Sequence, residues 1–169
     1  MMDVEQAGLP SILSEAAETA WLGILDRAPS KTASMLRRAI CEPELSAQLY
    51  KLLACSPFFS ESAKLDSERL LEILSDDAVR SSLPESAFAE DLDLAICADS
   101  AAEIGQVLRR FRRRHMMRIL WRDFCRLADT IETMRDMTLL AEVCISAAVR
   151  YSEQQLSLRY GAPLGKDSG

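Results

Sequence analysis

The sequence predicts an all-α protein, an irregular helical bundle with short N-terminal helices and two long C-terminal helices. Three observations predict it. Leu and Ala supply 46 of the 169 residues while Val, Ile and Thr supply 19, a balance that favours helix over sheet. Gly and Pro number only six each, so there are few breakers inside the elements. Apolar residues recur at three- and four-residue spacings, and no segment alternates with the period of a strand.

Prolines and small polar residues divide the first part into short helices. Pro10 opens the first, whose apolar positions Ile12, Leu13, Ala16, Ala20, Ile24 and Leu25 keep helical spacing until Pro29. Ser30 is the expected cap of the next, through Ile40. Pro43 opens a third with Leu45, Leu49, Leu52 and Leu53 on one face, and Ser56-Pro57 restarts the chain as a short helical turn carrying Phe58 and Phe59. Asp66 or Ser67 precedes the next, Pro84 breaks the path, and Ser86 precedes a helix with Phe88, Leu92 and Ile96 on one side. These make a short-helix region over residues 1–99.

From Ser100 to Pro163 no proline occurs, which implies a long helical pair over 100–161. The first is expected from about Ala101 to Ala128, about 40 Å long. Its face Ile104, Val107, Leu108 and Phe111 is opposite the later Met116, Leu120, Phe124 and Leu127, so the helix should pack differently in its two halves or bend near Arg112 to His115. The second is expected from about Thr133, where Thr133 and Asp136 are spaced as a capping box. Met137, Ala141, Cys144, Ala148 and Tyr151 form its predicted seam for antiparallel pairing, and Gly161 with Pro163 ends it.

With 20 basic and 26 acidic residues the net charge is -6, which removes the general attraction of a basic protein to nucleic acid or anionic membrane. Cys41, Cys55, Cys97, Cys125 and Cys144 have no CxxC or zinc-ligand spacing and read as scattered thiols. The acidic start has no signal-peptide pattern, and no run of 18 apolar residues exists. A cytoplasmic setting is expected, without membrane contact.

The search for chemistry yields no catalytic or metal-ligating residue. His115 is the only histidine and sits in an arginine run that would depress its basicity; it reads as a helix-surface or interface residue. Asp91 and Asp93 are a D-x-D within a helical pattern, where the side chains diverge by about 200°. In the tail, Gly161 and Lys166 have phosphate-loop spacing, but Gly165 is followed by Lys166-Asp167, without the required Ser or Thr.

One segment stands out. Positions 108 to 126 contain eight arginines and one acid, and Arg110, Arg114, Arg118, Arg122 and Arg126 recur every four residues. Four like-charge steps oppose an isolated helix by roughly 1 to 2 kcal/mol, so acids of the chain, an anionic partner or a phosphate must offset them. Arg109, Arg112, Arg113, Arg114, Arg118 and Trp121 are the candidate residues for an anion site or domain interface. Along the arginine helix Arg112, Arg113 and Arg114 are expected to be exposed, and Arg118, Arg122 and Arg126 nearer to structural partners.

At these residues the sequence resembles the amino-terminal helical segment of the bifunctional glutamine synthetase adenylyltransferase/adenylyl-removing enzymes. LRRFRRRHMMRILWRDF is similar to that family's LRxFRRR-(hydrophobic)-RIxW signature, through Arg109, Phe111, Arg112, Arg113, Arg114, Arg118, Ile119 and Trp121. Leu140, Ala141 and Glu142 match its LAE helix, and Tyr160, Gly161 and Pro163 its closing YGxP. Upstream, Cys55 to Phe59 is similar to a Ser-(Asp/Pro)-Phe segment. The resemblance covers about two-thirds of the chain and is strongest over 108–163.

The resemblance implies an enzyme that moves AMP between ATP and a tyrosine of glutamine synthetase, removes it with phosphate, and answers to a PII-type signal protein in the control of nitrogen assimilation. Magnesium and ATP or phosphate are implied for the full-length enzyme and no cofactor for this chain. The family's Gly-rich SDxD element would begin beyond Gly169, so residues 162–169 are expected to be a linker toward a nucleotidyltransferase domain absent from the sequence, and the chain by itself is expected to be inactive. The alternatives are a stand-alone binding module using the arginine helix on an anionic partner such as RNA or an acidic protein, and a helical scaffold. Nucleic acid is disfavoured because Phe111 and Trp121 suit packing better than base stacking.

Overall fold

The computed structural model describes residues 10–75, 77–99 and 103–161, with the backbone alone at 77 and 78. Every regular element among them is helical. In chain order these are α1 (Ser11–Arg27), α2 (Ser30–Ala39), α3 (Pro43–Cys55), α4 (Pro57–Leu65), α5 (Ser67–Ser75), a 3₁₀ turn (Asp77–Arg80), α6 (Ala87–Ala98), α7 (Ile104–Phe124) and α8 (Thr130–Tyr160). The all-α class with short early helices and two long late ones is therefore what the chain adopts.

The starts of these helices show which local signals operate. Ser56 caps α4, its hydroxyl accepting from the Phe59 amide at 3.2 Å. Asp66 caps α5, accepting from the Arg69 amide at 3.0 Å. Ser30 does not cap α2: Pro29 holds the cap position with extended backbone, and Ser30 is the first helical residue. The start of α8 also differs from expectation. Asp129 accepts from the Glu132 amide at 2.7 Å, so the cap is four residues earlier than the Thr133–Asp136 spacing suggested. Thr133 instead donates to Asp123 at 3.1 Å, and Asp136 is buried. At the other end Gly161 has φ +83°, the left-handed geometry that glycine adopts without a Cβ penalty.

The expected first residues of α7, Ala101 and Ala102, lie outside the described residues. Its last is Phe124 rather than Ala128, because Arg126 turns to φ 57°. Such a backbone is costly for a residue with a Cβ, and it ends the helix. Arg126 is consequently an exposed turn residue, not a member of the ridge held by structural partners.

The chain forms two compact units, each discontinuous in sequence. The first comprises residues 1–82 and 113–134, the second 83–112 and 135–169. In the first, α1, α3 and α4 pack together and α2 lies against α5. Its core includes Trp21, Ile24, Leu36, Leu49, Phe59 and Leu70 together with Met117 and Trp121 from α7. Trp121 stacks on Phe59 with ring centroids 6.4 Å apart, and Trp21 meets Tyr50 at the same distance with tilted planes. In the second unit the buried apolar residues are Phe88 and Leu92 of α6, Val107 and Phe111 of α7, and Leu140 and Ala147 of α8.

The seam of α8 is displaced by one position from the predicted one. Asp136, Leu140 and Ala147 are buried, whereas Met137, Ala141 and Tyr151 are exposed. One residue is about 100° on a helix, and the displacement follows from a charged residue, Asp136, occupying a buried position that apolar periodicity cannot register.

The cap assignment is testable. Asp129→Ala should cost about 1 kcal/mol in urea unfolding, while Thr133→Val should cost only a few tenths of that, about the value of an exposed bond. Equal losses would return the cap to Thr133.

Candidate functional site

The arginine helix is the feature from which a site would be built, and the structure divides its arginines by environment. Successive members of the row at i, i+4 advance by about 40° around the axis. Arg110 and Arg114 face solvent, whereas Arg118 and Arg122, farther along the helix, are only 4% and 2% exposed. Each has a partner within its own unit.

In the second unit Arg110 is ion-paired with Asp99. In the first, one nitrogen of Arg114 donates to both oxygens of Glu72, at 3.0 and 3.3 Å. Glu72 also accepts from Arg69 at 2.8 Å, and Arg69 donates to the Arg114 carbonyl at 3.4 Å. Arg118 donates to the Ser81 carbonyl. Arg122 donates to the Val79 carbonyl at 2.7 Å, the Leu127 carbonyl at 3.2 Å and the Glu132 carboxylate at 2.6 Å. Its Nε is buried without an acceptor. The offset to the like-charge row is thus intramolecular.

Those acceptors lay outside the reach of sequence reasoning. Backbone carbonyls at Val79, Ser81 and Leu127 carry no residue signature. A signal for the burial does exist, however. Val107 and Phe111 continue at three- and four-residue steps into His115, Arg118 and Arg122, and all five are buried. That stripe continues while its chemistry turns polar; beyond Arg112 the helix also buries Met117, Ile119 and Trp121, and its two halves belong to different units, as the change of apolar face predicts. Trp121 lies in the core against Phe59 and also lines a cleft of about 390 Å³ with Leu45, Ile73 and Val79.

Arg109, Arg112 and Arg113 make no ion pair or side-chain hydrogen bond among the described residues. Arg109 and Arg112 are exposed in the second unit and Arg113 is half-buried in the first. Arg112 lies near enough to Cys144 to favour its thiolate, although burial dominates and raises that thiol.

His115 and Cys125 are disarmed by their surroundings. His115 is buried rather than at a surface; its pKa is lowered to about 3, first by burial and then by Arg69, Arg118 and Arg114. A neutral imidazole of that basicity is a poor general base at neutral pH. Burial pushes the Cys125 thiol up to about 12, which removes the thiolate needed for attack. Asp91 and Asp93 are both exposed on α6, on diverging directions. Among the described residues no three His, Cys, Asp or Glu side chains are placed to hold a metal ion.

Comparison with known proteins supplies what the geometry lacks. The family model described as glutamate-ammonia ligase adenylyltransferase matches residues 46–169. The bifunctional glutamine synthetase adenylyltransferase/adenylyl-removing enzyme of Pseudomonas aeruginosa is 34% identical over 96% of this chain and 17% of its own length. That of Shewanella woodyi is 27% identical over 99% of the chain and 17% of its own length. The Nitrosococcus oceani protein of the same description is 42% identical over 40% of the chain and 7% of its own length. The chain therefore spans about 17% of the length of the relatives it matches nearly end to end. No solved structure matches it.

Two stability measurements check the polar core. Arg122→Met should cost about 3 kcal/mol or more, because it leaves Glu132 and two carbonyls without their donor, and Glu132→Gln should cost less. A loss below 1 kcal/mol for Arg122→Met would show the cluster to be peripheral. For His115 the native state stays neutral between pH 6.5 and about 3, while the unfolded chain takes up a proton. The unfolded state then binds more protons, so stability is full above pH 6.5 and falls as pH is lowered through that window, by up to about 1.4 kcal/mol per unit. Between pH 7 and pH 5, His115→Gln should lose about 2 kcal/mol less than the parent.

Proposed function

The chain belongs to the glutamate-ammonia ligase adenylyltransferase family, and from that premise we propose that it forms the helical part of a bifunctional glutamine synthetase adenylyltransferase/adenylyl-removing enzyme. In this reading AMP transfer to and from glutamine synthetase is performed by nucleotidyltransferase sequence elsewhere in the polypeptide, with magnesium and ATP or phosphate bound there. The helical part supports that body, and a PII-type protein controls the whole in the cytoplasm.

The observation that carries the reading is coverage. The family match runs through α7 and α8 to residue 169, while the chain spans 17% of its relatives. The division of the arginines is consistent with a supporting role. Four are used inside their own units, and Arg109, Arg112 and Arg113 present charge with no ion-pair or hydrogen-bond partner among the described residues. Guanidinium groups so placed suit contact with carboxylates or phosphates of an adjoining body. No helix among the described residues is long and apolar enough to cross a membrane.

The same three arginines favour one second reading, a stand-alone module that binds an anionic partner. The two readings separate by experiment. The 169-residue chain should neither adenylylate nor deadenylylate glutamine synthetase, and when grafted into the Pseudomonas aeruginosa relative in place of the matching stretch it should support both activities. Within the graft Arg112→Ala with Arg113→Ala should lower activity about tenfold, the equivalent of one lost charge-assisted bond of about 1.5 kcal/mol. Turnover by the chain alone that disappears on Asp91→Asn would overturn the first reading. Submicromolar, steeply salt-dependent RNA binding lost with those arginines would establish the second.

A further inference from the structure

One face of α8 is apolar and uncovered. At about 100° per residue, Ala141, Ile145, Val149, Ser152, Leu156 and Tyr160 follow one another along a single stripe, at steps of four, four, three, four and four. Ile145 is 62% exposed, Val149 49%, Leu156 56% and Tyr160 70%. The residues that α8 buries, Asp136, Leu140 and Ala147, are on the opposite side. The helix therefore covers one face within its own unit as far as Ala148, is exposed on every side from Val149 to Tyr160, and presents an apolar stripe about 28 Å long on the side away from its buried residues. A continuous apolar surface of that extent on a soluble helix marks an interface.

We propose that this face of α8 seats another body of the longer family polypeptide, through an apolar surface that carries Lys or Arg along one edge. The inference rests on the reading that the chain is part of an adenylyltransferase. Three observations select this occupant. The family match includes all of α8, so the stripe belongs to matched sequence. The matched relatives are about six times longer than their shared stretch, so each supplies a body large enough to cover it. Glu142 and Glu153 lie along one edge of the stripe and have no ion-pair partner among the described residues, which sets the charge of the opposing edge. A second copy fits less well: antiparallel pairing that brings Ile145 onto Val149 sets Glu142 against Glu153, like charges face to face.

Hydroxyl-radical footprinting reads these side chains directly in two proteins, the 169-residue chain and the graft of it into the Pseudomonas aeruginosa relative. The expected result is at least tenfold lower oxidation of Ile145, Val149, Leu156 and Tyr160 in the graft, with Tyr151 and Leu158, on other faces of the same helix, unchanged. Ile145→Asp with Leu156→Asp should leave the melting temperature of the 169-residue chain unaltered and lower that of the graft. An active graft with an oxidisable stripe overturns the docking and leaves the functional reading standing; an inactive graft with a protected stripe does the reverse. An inactive graft with an oxidisable stripe overturns both. If the 169-residue chain sediments as a dimer with the stripe already protected, the occupant is a second copy and the proposal fails.

Discussion

The first unit depends on a single buried guanidinium. Placing Arg122 at 2% exposure carries a desolvation penalty of several kcal/mol, which only well-aimed acceptors offset. The three it finds come from the 3₁₀ turn at Val79, the segment after α7 at Leu127, and the first turn of α8 at Glu132. Three stretches of chain are thereby held at one point. Helix ends add to the effect. Arg122 sits in the last turn of α7 and Glu132 in the first turn of α8, where the backbone dipoles favour a cation and an anion respectively. Asp129 caps the same first turn, so the backbone of Glu132 is satisfied by one acid while its side chain serves the arginine.

Much of the fold was legible because it rests on local chemistry. Pro43 and Pro57 start α3 and α4, Ser56 and Asp66 cap as their positions suggest, and Gly161 ends α8. What was not legible depends on residues distant in sequence. Asp136 is buried on α8 beside Arg135, and its charge hid the true seam by one residue. Arg118 and Arg122 are paired with carbonyls about 40 residues upstream. A row of arginines reads as a solvated or ligand-binding face until those acceptors are known, and only its first part is such a face. Trp121 shows the same limit, since beside four arginines it looks available to a partner, whereas Phe59 already covers it.

The functional conclusion therefore comes from combining two kinds of observation. His115 and Cys125 are both shifted by burial toward their neutral forms. Family membership places the chain among the glutamate-ammonia ligase adenylyltransferases, about 17% of whose length it spans. Within the chain, Arg118 and Arg122 find acceptors inside their own unit, whereas Arg109, Arg112 and the apolar stripe of α8 are exposed.

The drift of the arginine row also constrains how this helix can change in length. Between Arg114 and Arg118 the row passes from solvent to interior, and the donors beyond that point reach their acceptors in only one helical phase. One inserted or deleted residue in that interval would rotate everything beyond it by about 100°. The guanidinium of Arg122 would swing away from Val79 and Glu132, and another side chain would be driven into their place. Point substitutions on the outer face of α7 leave this phase intact, so its surface can vary freely while the spacing of its residues is effectively frozen.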